Sequence, residues 1–146
     1  MNVKLISYSL IVLMAAVSLV SLPSAFAHGA GKASLWNTSS GFTCAAGATD
    51  FSNGPYGFVV MNTANGNLIV EVSLKGATPH ATYDIWVNQN PGACPLSSPT
   101  APSALTTNGQ GNGNAHVVVP LVSGATSFWV SAVGGGQVLR STAVSP

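Results

Sequence analysis

Short runs in which apolar and polar residues alternate recur along this 146-residue chain at intervals of about a dozen residues, with Gly, Pro and Asn between them. The clearest run is 68–74, LIVEVSL, in which every second residue is apolar and shares one face of a strand. Other runs cover 56–61, 82–88, 104–107, 115–119, 127–131 and 137–144. Beyond the first 27 residues no stretch has the 3.6-residue period of a helix. The pattern predicts an all-β protein, an antiparallel β-sandwich of about seven strands.

Glycine and asparagine stand where this prediction needs turns. Asn65-Gly66-Asn67 separates two of the runs and is typical of a tight hairpin. Residues 108–114, NGQGNGN, and the triplet 134–136, GGG, separate further pairs of runs. We therefore expect neighbouring strands to be joined by short connections.

The first 27 residues have the three parts of a secretory signal peptide. Lys4 precedes an apolar run of 11 residues, Leu10–Val20, and Ala25-Phe26-Ala27 offers small residues for cleavage. A membrane anchor is the alternative, but a spanning helix needs about 20 apolar residues. We expect a chain that starts at His28 after 27 of the 146 residues are removed, which leaves 119 and no membrane span. The predicted segments are a signal peptide (1–27), a Gly/Ser/Thr-rich N-terminal segment (28–53) and a β-sandwich domain (54–146).

Charged residues are rare: Lys, Arg, Asp and Glu make up 5% of the chain, against roughly 25% in an ordinary soluble domain. The exported part has three cations (Lys32, Lys75 and Arg140) and three acids (Asp50, Glu71 and Asp84), which cancel. A neutral surface does not attract phosphates, so nucleic-acid binding is disfavoured. Three scattered carboxylates also disfavour acid–base hydrolysis, and we expect no enzymatic activity.

Two cysteines, Cys44 and Cys94, fall in the exported part. In an oxidising compartment an even number of cysteines indicates a disulfide, and with two the pairing is forced. Closing a loop of about 50 residues stabilises a fold by roughly 4 kcal/mol in the chain-entropy model. Two free thiols are the alternative.

Residues 74–87, LKGATPHATYDIWV, resemble the L…P-x-x-T-Y-x-[IV]-x-V segment of fibronectin type III and related immunoglobulin-like domains. The resemblance implies that Tyr83 caps the corner before a strand. Residues 105–113 are similar to the T-D-x-x-G hairpins of secreted microbial β-sandwiches. The resemblance covers 56–144 and implies an immunoglobulin/fibronectin-III-like sandwich. Because Trp86 lies close to Cys94 in sequence, the antibody Cys…Trp…Cys spacing is missing, so we expect the disulfide to tie the loop 91–95 to the N-terminal segment.

Copper is the one cofactor that the sequence suggests, as an alternative to having none. If cleavage leaves His28 at the N-terminus, its amine and imidazole resemble half of the histidine brace of lytic polysaccharide monooxygenases and related copper proteins. His80 or His116 would supply the other imidazole. The competing interpretation is that His28 is an accident of the cleavage position.

Two tryptophans form a candidate ligand platform. Strand alternation places Trp86 opposite Tyr83, Ile85 and Val87, and Trp129 opposite Phe128 and Val130. If those neighbours form the core, both indoles face outward and can stack on sugar rings or on a partner. Alternatively, both are ordinary core aromatics.

Taken together, these patterns predict a secreted, extracellular or cell-surface protein that serves in structure, adhesion or self-assembly. Its expected partners are itself, other surface proteins or glycans. The segment 28–50 could add a strand to a neighbour's open sheet. The alternatives are a carbohydrate-binding module that uses Trp86 and Trp129, and a copper protein or monooxygenase that uses His28.

Overall fold

Eight β-strands, each antiparallel to its neighbours, form the secondary structure of the residues that this computed structural model describes, 30–38, 53–92 and 104–145. They are β1 (Gly31–Asn37), β2 (Gly57–Ala64), β3 (Asn67–Leu74), β4 (Thr82–Asn90), β5 (Ala104–Thr106), β6 (Gly113–Pro120), β7 (Ser127–Gly134) and β8 (Gln137–Ser141). These residues include no helix, so the predicted all-β, antiparallel class is confirmed. It follows that no helix in this part of the chain is long and apolar enough to cross a membrane.

The strands form one sheet in the order β5-β4-β7-β8-β1-β2-β3-β6. The sheet nearly closes on itself, because its two end strands meet beside Gly113, where an added Cβ would lie 3.0 Å from the Thr106 carbonyl oxygen. At the other end of β6, the Gln89 amide of β4 donates to the Pro120 carbonyl oxygen (2.9 Å) and accepts from the Val122 N–H (2.9 Å). The two strands at the ends of the sheet order, β5 and β6, therefore lie next to each other.

β1 changes its partner halfway along its length. Residues 31–34 pair with β2, with Gly31 opposite Met61 and Ser34 opposite Phe58. Residues 35–37 pair with β8, with Leu35 opposite Ser141. We call β1(31–34), β2, β3 and β6 the β2 half-sheet, and β1(35–37), β8, β7, β4 and β5 the β7 half-sheet. The sheet thus begins at Gly31, inside the N-terminal segment 28–53, and β1 is the eighth strand beyond the seven or so expected.

A single apolar core lies between the two half-sheets. Alternation along each strand supplies it, because residues two apart share a face. In β3 the inward residues Leu68, Val70, Val72 and Leu74 are all buried. The β7 half-sheet contributes Tyr83, Ile85, Val87, Phe128, Val130, Ala132 and Leu139, and β1 contributes Ala33 and Leu35. The inward face that the alternation predicted for β3 and β4 is confirmed.

The hairpin between β2 and β3 depends on two residues with left-handed backbone. Asn65 has φ 51° and Gly66 has φ 75°, which are the signs that a type I′ turn requires at both central positions. Asparagine and glycine are the residues that adopt this conformation at the lowest cost. The predicted Asn-Gly hairpin is therefore confirmed, and it aligns all eight residues of β2 with β3.

Tyr83 joins the start of β4 to the turn between β7 and β8. Its ring is fully buried, and its hydroxyl accepts the Thr78 N–H (3.0 Å) and donates to Gln137 Oε1. Thr78 Oγ1 also donates to the Gly135 carbonyl oxygen (2.9 Å). The tyrosine thus bonds to backbone five residues upstream at a corner, which is the role that the sequence resemblance implied.

Candidate functional site

All three tryptophans and the one arginine of the chain lie on the same face of the β7 half-sheet, opposite the core. The strand registers place Trp36 opposite Arg140, Arg140 opposite Ser131, and Ser131 opposite Trp86. Trp129 lies two positions along β7 from Ser131, opposite Asn88. Each of these side chains alternates with a core residue, as Trp86 and Trp129 were expected to do. We call Trp36, Trp86, Asn88, Trp129, Ser131 and Arg140 the tryptophan–arginine face.

The centre of the tryptophan–arginine face is buried. Trp129 is 3% exposed, Arg140 is 1% exposed, and Asn88 and Ser131 are also buried, whereas Trp36 and Trp86 are half-buried. Burial lowers the pKa of the Arg140 guanidinium below its usual range, because a charge loses hydration there. With 3% exposure the Trp129 ring is closed to solvent in this arrangement, and the role of Trp86 and Trp129 as a ligand platform stays a prediction.

Polar atoms at the centre of this face are enclosed. Asn88 Nδ2 donates to the carbonyl oxygens of Trp86 (3.3 Å) and Trp129 (3.5 Å). Among the described residues, Asn88 Oδ1, Ser131 Oγ and the Trp129 indole N–H are buried and make no hydrogen bond.

Trp36, Ser131 and Arg140 were not identified from the sequence as members of this face. Each of them follows a core residue (Leu35, Val130 or Leu139), so strand alternation predicts that its side chain lies on the face opposite the core. Only the order of the strands in the sheet shows that the three residues are neighbours.

The predicted copper ligands are not grouped by the described structure. His28 lies outside the described residues. His80 is exposed in the turn before β4 with φ 52°, and its N–H donates to the Asn108 carbonyl oxygen (3.3 Å). His116 lies on β6, where its Nδ1 is 2.5 Å from Glu71 Oε1. In the described ranges no three His, Cys, Asp or Glu residues are grouped so that they could hold a metal.

Cys44 and Cys94 also lie outside the described residues, so the disulfide stays a prediction. Carbohydrate binding through Trp86 and Trp129 and copper binding through His28 stay predictions as well.

The outer face of the β2 half-sheet is the exposed counterpart of the tryptophan–arginine face. A row of aligned residues crosses four strands here, from Lys32 through Val60 and Glu71 to His116. The Glu71 and His116 side chains are each 57% exposed. The Lys32 ammonium lies 4.1 Å from the centre of the Phe58 ring, within the range of a cation–π contact. Glu71 and Lys32 thus each contact a neighbouring side chain on this face, His116 and Phe58 respectively.

The side of β6 that faces away from β3 pairs with no other strand among the described residues, although Thr106 lies beside Gly113 and Gln89 bonds to Pro120. Leu121 N–H donates to the Gly66 carbonyl oxygen (2.9 Å), which continues the β3–β6 register by one pair. Hydrogen-bonded and non-hydrogen-bonded pairs alternate in an antiparallel ladder, so the backbone groups that bond to β3 are those of Val119, Val117 and Ala115. The backbone N–H and C=O groups of the alternating residues, Asn114, His116 and Val118, point away from β3. We call this row of backbone groups the β6 edge.

The residues of the β6 edge do not discourage pairing with another strand. Natural sheets protect their edges with lysine, proline, bulges or inward-pointing charges. β6 has the sequence GNAHVVVP, without lysine or acid, and its one proline stands at the end. Asn114, His116 and Val118 are exposed, with Val118 at 42%. The neighbouring end strand, β5, is three residues long and pairs with β4. The β6 edge is therefore a candidate surface for pairing with a strand of another chain.

Comparison of the chain with family models, with curated proteins and with solved structures finds no match. The candidate site is accordingly defined by the geometry of the β6 edge.

Proposed function

We propose that this chain is a secreted, non-enzymatic β-sheet protein that builds extracellular or cell-surface structure by associating with itself. The single observation that carries the proposal is the β6 edge, a row of backbone groups with no strand partner among the described residues, in a strand without lysine, arginine or acid. Backbone hydrogen bonds between edge strands supply affinity without needing charged or shape-specific side chains. A nearly neutral surface also offers little electrostatic repulsion between copies.

The finer fold proposal is an immunoglobulin-like sandwich with its own strand order. Two half-sheets that enclose one core support it, as does the Tyr83 corner with its bond to Thr78. The direct pairing of β2 with β3 departs from the immunoglobulin arrangement, in which the third strand lies in the opposite sheet. We keep the sandwich as the proposal and expect the topology to differ from that family.

Export is proposed from the leader pattern in residues 1–27 and from the two cysteines of the exported part. The predicted Cys44–Cys94 disulfide suits an oxidising compartment. The protein to test is therefore the oxidised chain 28–146.

Two lysine substitutions test the role of the β6 edge. Val118 lies on the edge and is 42% exposed, whereas Val122 is 37% exposed and lies after the strand. We expect the molar mass of the wild-type protein, measured by light scattering after size exclusion, to rise with concentration. The molar mass of Val118→Lys should not rise over the same range, because lysine opposes edge pairing. Val122→Lys is the matched control and should associate like wild type.

A proline substitution at Val118 tests whether association needs the backbone N–H of this residue. In Val118→Pro the N–H that is lost points away from β3, so the ladder bonds of β6 remain, and proline is tolerated on such an edge. We expect the molar mass of this variant also not to rise with concentration. A wild-type protein that stays monomeric at every concentration would overturn the proposal, and so would equal association of Val118→Lys and Val122→Lys.

A further inference from the structure

β1 is the strand that joins the two half-sheets, and each of its pairings is short. It contributes four register pairs to β2 and three to β8. By comparison, β2–β3, β3–β6 and β4–β7 are aligned over eight residues each. Without β1, the edge of β2 at residues 58–61 and the edge of β8 at residues 139–141 would each lose this strand partner. These two edges, which β1 occupies one after the other, are here called the β1 slot.

Packing at the β1 slot restricts both the sequence of the strand that fits there and its register. Leu35 is fully buried and Ala33 nearly so, and both enter the shared core. Gly31 lies against Val144, where an added Cβ would be 2.9 Å from the valine Cβ, so the position leaves no room for a side chain. A shift by one residue would turn Leu35 out of the core and a polar residue into it. The occupant that fits is therefore a β1 strand of this same chain.

The connection that follows β1 is long enough to reach a neighbour. Fourteen residues, 39–52, separate Thr38 from Asn53 along the chain. At roughly 3.3–3.6 Å per residue they can span up to about 50 Å, and an eight-residue strand is only about 27 Å long. The chain therefore does not confine β1 to its own slot. Exchange of an identical element between copies is a low-cost route to association, because every contact already exists in the monomer.

We propose that β1 of one copy occupies the β1 slot of a second copy. The inference rests on the proposed function, in that it adds to the β6 edge a second contact through which copies of this chain associate. Reciprocal exchange would give a closed dimer, and successive exchange would give a linear chain of subunits. The β6 edge stays open in either arrangement, so the two contacts are independent.

A mixture of two single-cysteine variants tests the exchange. Ser34 and Phe58 are register partners on β1 and β2, with side chains on the outer face. If Ser34→Cys and Phe58→Cys proteins are mixed, the two new thiols meet only when β1 of one copy pairs with β2 of the other. The proteins are mixed once as native samples and once by refolding together. After mild oxidation, mass spectrometry identifies the peptides that are joined by a disulfide.

The matched control uses Ser73→Cys and Asn114→Cys, register partners on β3 and β6 that also face outward. Strand exchange at β1 does not bring these two residues together between copies. Lys32→Cys with Val60→Cys, which are aligned in the same strand pair as the first mixture, provides a second test if Phe58→Cys folds poorly.

We expect intermolecular disulfides in the β1–β2 mixtures at least tenfold above those in the β3–β6 control. Equal yields in all mixtures, native and refolded, would overturn the proposal. Association by light scattering together with equal yields would overturn strand exchange alone and leave self-association through the β6 edge standing. A monomeric protein with equal yields would overturn both.

Discussion

Removal of one hydroxyl group, in Tyr83→Phe, tests whether the corner before β4 holds the two ends of the β7 half-sheet together. The hydroxyl makes two hydrogen bonds, accepting from the Thr78 N–H and donating to Gln137 Oε1. Neither partner is left without a bond in the variant, because the Thr78 N–H and Oγ1 each also lie 3.2 Å from Gln137 Oε1. The cost is therefore the net value of two hydrogen bonds, without the larger penalty of an unsatisfied buried group.

At about 0.5–1.5 kcal/mol for each bond, Tyr83→Phe should lower the free energy of unfolding by about 1–3 kcal/mol. For a domain of this size such a change lowers Tm by roughly 3–10 °C. The measurement is guanidinium chloride unfolding followed by circular dichroism. The midpoint should fall while the slope m stays unchanged, because the surface exposed on unfolding is the same.

Tyr56→Phe is the control, since Tyr56 is half-exposed and its hydroxyl makes no bond to the described residues. We expect this change to alter stability by less than about 0.5 kcal/mol. A double-mutant cycle with Gln137→Met should give a coupling of at least about 0.5 kcal/mol between Tyr83 and Gln137. If Tyr83→Phe and Tyr56→Phe have equal stabilities, the corner does not hold the half-sheet in the way described.

Two further predictions concern the room for a side chain at two glycines and the burial of the tryptophans. Gly57→Ala should cost about 3–5 kcal/mol or prevent folding, because Gly57 has φ 113° and an added Cβ would lie 1.9 Å from the Ser73 carbonyl oxygen. Gly66→Ala should cost only about 1–2 kcal/mol, because Gly66 has a positive φ but no atom within 4 Å of the added Cβ; equal losses in denaturant unfolding would contradict this reasoning. Acrylamide should quench the fluorescence of Trp129→Phe more strongly than that of wild type, since Trp129 is the most buried indole. Trp86→Phe should show the opposite change, and the reverse order would mean that Trp129 is open to solvent.

Local patterns were sufficient to predict the strand class and most of the turns. Alternation in residues 68–74 predicted the buried face of β3, because the two-residue period of a strand is a local property. The Asn65-Gly66 pair predicted its hairpin for the same reason, since the left-handed turn is decided by the two residues in it. β1 was less visible, because it lies in a Gly/Ser/Thr-rich segment and has only two core residues, Ala33 and Leu35.

The candidate site could be predicted only in part. Alternation oriented Trp86 and Trp129 away from the core, but it contains no information about what lies on the other side of the sheet. The burial of Trp129 and the alignment of Trp86, Ser131, Arg140 and Trp36 depend on the order β4-β7-β8-β1. That order joins strands that are far apart in the chain, and no periodicity within one strand specifies it.

By itself, then, the sequence determined that this protein is built of short antiparallel strands with few charges, since strand period, turn residues and net charge are properties of neighbouring residues. The tertiary structure decided which strands became edges and which strand joined the two half-sheets. His116 and Val118 are functional candidates because β6 is last in the sheet order, and the proposal that β1 exchanges depends on its place between β2 and β8. Both follow from contacts between distant parts of the chain, where the burial of one shared core selects the pairing.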